Sequence, residues 1–168
     1  MAGIFGQLLF RPGWRLRCID PPIGWVRIDG EPPVVELRLQ ITCFLTSRWA
    51  SPVAIRGLQL RVNAGGREFL VPWTATADPD EKPLGDDVEY SVDGTAPHHA
   101  FVDFASDAPD LVKYLDTTRR PIPVAVEGRF NLAPHFRPIA GLGLEIAKPP
   151  GRGPQWRRVQ TGRELNQD

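Results

Sequence analysis

The feature that most constrains this chain is a twelve-residue run, Val34 to Leu45. Positions 35, 37, 39, 41, 43 and 45 read Val, Leu, Leu, Ile, Cys and Leu, while 36, 38, 40 and 42 read Glu, Arg, Gln and Thr. Successive side chains of a strand point to opposite faces, so this alternation describes one long strand with a buried face and a polar face. Leu58, Leu60 and Val62 alternate with Gly57, Gln59 and Arg61 in the next strand. Asn63-Ala64-Gly65-Gly66 follows, and its Asn and Gly residues tolerate the positive φ that a hairpin turn requires. The chain then returns through Arg67–Trp73. With Thr46–Pro52 as a connecting loop that carries Trp49, these segments predict a three-strand antiparallel meander.

Further strands are expected at Trp14–Ile19, Trp25–Ile28, His99–Phe104, Ile122–Phe130 and Ile139–Ala147. Ile122, Val124, Val126, Gly128 and Phe130 share one face of the fourth of these. Leu142, Leu144 and Ile146 share one face of the last. A short helix is expected at Pro109–Leu115, with Asp107 as its cap, Pro109 in its first turn, and Leu111 and Leu115 on one face. About eight short strands and one helix point to an all-β fold, an antiparallel β-sandwich of the immunoglobulin-like or jelly-roll-like kind. Trp14, Trp25 and Trp73 are expected to pack in or beside its core. Residues 1–147 are read as this single domain. Residues 148–168, rich in Pro, Gly and Arg, are read as an irregular tail outside the core.

The length of 168 residues suits one domain that folds without metal or disulfide. An apolar fraction of 42% with zero net charge argues against intrinsic disorder. The glycines have no period of three, which excludes a collagen-like chain. No apolar run is long enough for a transmembrane helix. Charge, however, is segregated along the chain. Residues 1–73 carry nine Arg against five acids, residues 74–118 carry two Lys against eleven acids, and residues 119–168 carry eight Arg and one Lys against four acids. An acidic middle between basic flanks argues against a nonspecific polyanion binder and for Arg-to-carboxylate contact.

The N-terminus lacks the basic region and long apolar stretch of a signal peptide. Ile4, Phe5, Leu8 and Leu9 fall near helical spacing and suit a short helix docked on the domain. Cys18 and Cys43 lie on the apolar side of their segments. They read as reduced, buried thiols, and the alternative is a disulfide between them. These features point to the cytoplasm.

Catalytic chemistry finds no motif. There is no Gly-x-Ser-x-Gly elbow, no phosphate loop between strand and helix, and no histidine at a family spacing from Ser47, Ser51, Ser91 or Ser106. His98 and His99 are adjacent, so on a strand they face opposite ways and do not share a zinc ion, and His135 stands apart. The acidic stretch Ala77–Pro97, with Asp78, Asp80, Glu81, Asp86 and Asp87, is a long loop with room for a short strand at Val88–Val92. It offers oxygens to a hard cation but lacks the helix–loop–helix calcium spacing. The reading is therefore no enzyme, no cofactor and no bound metal. Trp156, Arg157 and Arg158 in the tail have the composition of an interface anchor, and Trp49 is a second such residue. The expected function is a non-catalytic protein–protein interaction or assembly module, in which the Arg-rich tail and the acidic loop serve self-association or docking. The alternative is a carbohydrate- or lipid-binding β domain, assisted by calcium at the acidic loop. No nucleic-acid partner is expected.

Overall fold

The computed structural model describes residues 16–18, 23–46, 51–77, 90–118, 120–146 and 152–159. Among these residues ten strands and one helix follow in chain order: β1 (Leu16–Cys18), β2 (Ile23–Asp29), β3 (Val34–Leu45), β4 (Val53–Ala64), β5 (Arg67–Ala77), β6 (Tyr90–Val92), β7 (His98–Ser106), α1 (Pro109–Thr117), β8 (Ile122–Phe130), β9 (Arg137–Ile146) and β10 (Gly153–Val159). They form one open antiparallel sheet in the order β10-β2-β3-β7-β5-β4-β8-β9. Strand β1 continues the line of β2 along β3, and β6 pairs with the start of β4.

The alternation that opened the sequence reading holds residue for residue. Every odd position of β3 from Val35 to Leu45 is buried, and every even position from Val34 to Phe44 is partly exposed. The turn between β4 and β5 is also as expected. Gly65 and Gly66 have φ of 62° and 81°, the two left-handed positions of a tight two-residue hairpin turn. Helix α1 begins with Pro109 at the predicted place and buries Leu111, Val112 and Leu115. Its N-cap is Ala108 rather than Asp107, with no side-chain cap. The N–H of Ala108 donates to the Ser106 hydroxyl at 3.3 Å instead.

The expected meander is only half right. Strand β4 pairs with β5 and β8, whereas β3 pairs with β1, β2 and β7. The connection 46–52 thus carries the chain away from β3 rather than folding it back beside it. The strand that joins the two regions is β5. Its first half, Arg67 to Pro72, pairs with β4, and its second half, Trp73 to Ala77, pairs with β7. The change falls at a bulge between Trp73 and Ala75. There the indole N–H of Trp73 donates to the Ala75 carbonyl at 2.7 Å, and the Thr74 hydroxyl donates to the Asp103 carbonyl at 3.1 Å. A bulge bends and twists its strand, which suits a strand that must serve two neighbours at different angles. The buried side chains of both regions, from Leu16 to Val159, form a single hydrophobic cluster in which Phe104, Leu60, Leu37 and Ile41 are among the largest fully buried members.

Two expectations are corrected. The Arg-rich end is not irregular throughout, because residues 153–159 form β10, paired antiparallel with β2. Val159 enters the core beside Gly24, and Arg152 pairs with Asp116 of α1 at 3.1 Å. Gly24 leaves room for this approach: a Cβ there would lie 2.8 Å from Leu39 and 3.6 Å from Val159. The cysteines are not free thiols. Cys18 and Cys43 stand opposite each other in the β1–β3 register with Cα atoms 4.1 Å apart, and they form a disulfide. The cysteine pattern therefore no longer bears on compartment. The amphipathic stretch at Ile4, Phe5, Leu8 and Leu9 lies outside the described residues, as do Trp14 and the side chains of Leu142 and Leu144.

Candidate functional site

Sheet alternation sends the odd residues of β2 and β7 and the even residues of β3 to the face opposite the core. That outer face holds one cross-strand row of four: Arg158 on β10, Trp25 on β2, Arg38 on β3 and Asp103 on β7. The Arg38 guanidinium grips Asp103 with two parallel hydrogen bonds, Nε to Oδ1 at 2.8 Å and Nη2 to Oδ2 at 2.9 Å. Such a fork is stronger and more directional than a single contact. The neighbouring row pairs Arg27 with Glu36, whose carboxylate accepts from Nε and raises the guanidinium pKa further above its ordinary range.

Trp156 lies over this face. Its ring is 4.8 Å from the Arg27 guanidinium carbon and 5.4 Å from that of Arg38, both within cation–π range. Trp25 and Phe101 sit 6.1 Å apart, centroid to centroid, tilted by 56°. Between them opens a shallow site of about 210 Å³ lined by Trp25, Arg38, Phe101 and Trp156. All four are partly exposed, so their rings and guanidinium remain within reach of a second molecule.

The residues expected from the sequence divide as follows. Trp156 and Arg158 are brought onto this face. Arg157 is exposed, but it points the other way, since its register partner is the inward-facing Val26. Trp49, Asp78, Asp80, Glu81, Asp86 and Asp87 lie outside the described residues. Trp25, expected in or beside the core, stands on the outer face, while Trp73 packs against the core as expected. Phe101, Arg38 and Arg27 were not singled out by sequence, and Asp103 only as a residue on the same strand face as His99. The signal was present in the two alternating stretches Gly24–Ile28 and Ala100–Phe104. In each, an aromatic residue shares the non-core face with a charged one, Trp25 with Arg27 and Phe101 with Asp103.

A second charged cluster occupies the other end of the sheet. Glu127 of β8 is only 4% exposed. Its carboxylate accepts from Arg61 at 2.7 and 3.1 Å and from the Gln59 amide at 2.7 Å. Arg61 holds the Glu127 pKa below its ordinary value; burial opposes that, and Gln59 adds to it. Arg61 also reaches Glu68 at 2.5 Å. Every ionised group here has a partner of opposite charge, which marks a structural cross-tie between β4, β5 and β8. The histidines are engaged locally: His98 with Asp93, and His99 with the Thr42 hydroxyl at 2.9 Å. Among the described residues no three of His, Cys, Asp and Glu are placed to hold a metal ion. Nor, among them, is any helix long and apolar enough to cross a membrane.

Comparison with known proteins adds little. No family model matches the chain, and no curated protein matches it. A crystal structure of a protein from Archaeoglobus fulgidus is similar to it at 9% identity, over 87% of this chain and 94% of that one, with a TM-score of 0.42. A likeness at that level carries no argument about function.

Proposed function

We propose that this protein is a non-catalytic interaction module whose contact surface is the outer face of β10, β2, β3 and β7. One observation carries the reading: Trp25, Phe101 and Trp156 converge with Arg38 and Arg27 on a sheet face that the core does not need. Rings left partly open to water gain when a partner covers them, and Trp and Arg are the residue types that dominate binding energy at protein interfaces. The Arg38–Asp103 fork fixes the floor of the site, so little side-chain freedom is lost when a partner lands on it. A finer fold reading belongs with this one. The two regions joined at β5 act as the layers of a sandwich, which the single shared core and the approach of β1 to β9 support.

The test is the state of the chain in solution and in its source cell. Light scattering at low and high salt, with affinity purification from the source, is expected to show self-association or a stable protein partner. A salt-independent monomer with no co-purifying protein overturns the proposal. A second reading, carbohydrate binding, draws on the same site, because three rings beside an Arg–Asp pair suit stacking on a sugar with hydrogen bonds to its hydroxyls. A thermal shift on a glycan panel, lost in Trp25→Ala, would favour it.

A further inference from the structure

We infer that the aromatic site on the outer face takes a proline-rich segment of a partner protein, in the polyproline II conformation. The inference rests on the contact-module reading and names the class of partner. Four side chains line the site, Trp25, Arg38, Phe101 and Trp156. Indole and guanidinium nitrogens only donate hydrogen bonds, and a phenyl ring has no polar atom. The lining therefore offers donors and no side-chain acceptor. Asp103, in the same cross-strand row, is taken by Arg38, and Glu36, in the next row, is taken by Arg27. Among the described tryptophans the indole N–H of Trp73 donates to the Ala75 carbonyl, whereas those of Trp25 and Trp156 meet no acceptor. Charge does not select the partner. Arg27 and Arg38 are ion-paired, Asp29 adds to the attraction on Arg27, and Arg158 is engaged as well. A charged segment would shed its water here without gaining a new opposite charge, so an uncharged segment is the electrostatic complement.

Proline meets both conditions. It has no backbone N–H, so a run of prolines presents carbonyl acceptors and no donors. In polyproline II those carbonyls make no internal hydrogen bond, which leaves them for the indole N–H groups. Pyrrolidine rings pack on aromatic rings, and the conformation is preformed, so little backbone freedom is lost on binding. Trp25 and Phe101, 6.1 Å apart and tilted by 56°, present two non-parallel faces to such a ridge rather than one flat platform. The volume of about 210 Å³ takes about one or two prolyl rings at a time. A sugar is a poorer match, because each hydroxyl is a donor as well as an acceptor and its donor finds no side-chain acceptor in this lining.

Titration of the full chain with decaproline tests this, with a Gly-Ser peptide of equal length as control. Heteronuclear NMR reads each indole N–H separately. A site this small buries far less than a standard interface, so a Kd of about 0.3 mM is expected. Decaproline is expected to move the indole signals of Trp25 and Trp156 together and to leave that of Trp73 in place, and the control peptide to move none. Trp25→Phe and Trp156→Phe keep a ring and remove a donor, so each is expected to weaken binding about threefold to tenfold. Trp25→Ala is expected to weaken it about tenfold or more, with circular dichroism reporting the fold, and the Phe variants carry the test if the Ala variant unfolds. High salt is expected to change Kd by less than about twofold, since no ion pair forms. Unmoved Trp25 and Trp156 signals at about 5 mM decaproline, an equal response to the control peptide, wild-type affinity in both Phe variants, or a steep salt dependence overturns the inference. A glycan that binds the wild type and not Trp25→Ala, without a response to decaproline, overturns it in favour of the second reading. A protein that co-purifies with the wild type and not with Trp25→Ala, again without a response to decaproline, overturns it and leaves the contact-module reading standing.

Discussion

Val159→Ala asks whether the C-terminal strand is part of the fold. In the structure this valine is 3% exposed, pairs with Gly24, and belongs to the main hydrophobic cluster. The substitution removes two methylene equivalents from the core, at about 0.8 kcal/mol each. A residual cavity beside Gly24 adds to this, because a glycine has no side chain to move into the gap, so the total loss is about 2 kcal/mol. For a domain of this length 1 kcal/mol corresponds to about 2–4 °C, which gives a fall in Tm of about 4–8 °C. The control is Gln155→Ala on the same strand, an exposed position expected to change stability by less than about 0.5 kcal/mol. Urea unfolding followed by circular dichroism, with m unchanged between variants, reads the difference directly. If Val159→Ala matches Gln155→Ala, then β10 does not dock on β2. The aromatic face, which depends on Trp156 being held there, would lose its basis as well.

Three further perturbations probe other parts of the structure. Glu127→Gln is expected to destabilise the chain at neutral pH, and less so in acid. The carboxyl titrates below its ordinary value of 4.5 when folded, so its contribution is complete above that pH and is lost as pH falls through the folded value. The stability gap between the two proteins should therefore narrow as pH falls below 4.5 and through the folded value, and a gap that stays constant in acid would refute the role assigned to it. Gly65→Ala is expected to cost more than Gly66→Ala, about 2 kcal/mol against about 1, since both residues have positive φ but only Gly65 would set its Cβ 3.0 Å from the Tyr114 ring. Equal losses would argue against that contact. Reducing Cys18–Cys43, which closes a loop of 25 residues, is expected to cost about 3 kcal/mol, measured as the shift of the urea midpoint with reductant. Coincident curves would refute it.

What the sequence disclosed, and what it hid, follows from the range of each interaction. The β3 pattern, the Gly65-Gly66 turn and the start of α1 are local, written in alternation, in φ preference and in a proline at the first helical turn. The partners of β3 are not local. Strand β7 lies some sixty residues on, and nothing in either strand names the other, so a meander through the loop at 46–52 looked natural. Cys18 and Cys43 each sat on an apolar face, which is equally true of a thiol and of half a disulfide until the β1–β3 register is known. Gly153–Val159 hides best. Its sequence, Gly-Pro-Gln-Trp-Arg-Arg-Val, has no apolar alternation, because the strand lies at the sheet edge and only Val159 reaches the core. Trp156 could be marked as an anchor from its charged neighbours, but the rings it meets, Trp25 and Phe101, come from strands far apart in the chain.

The shared strand has a consequence for how the molecule opens. Strand β5 hydrogen-bonds to β4 along one half of its length and to β7 along the other. Loss of either ladder leaves the other half of β5 paired, so the bulge between Trp73 and Ala75 is the place where one part of the sheet can open before the other. Amide protons of β3 and β4, strands paired on both sides, should then exchange most slowly, and those about the β5 bulge sooner. The edge amides of β10 should exchange by fraying. The contact face would thus combine a rigid floor with a margin that can yield.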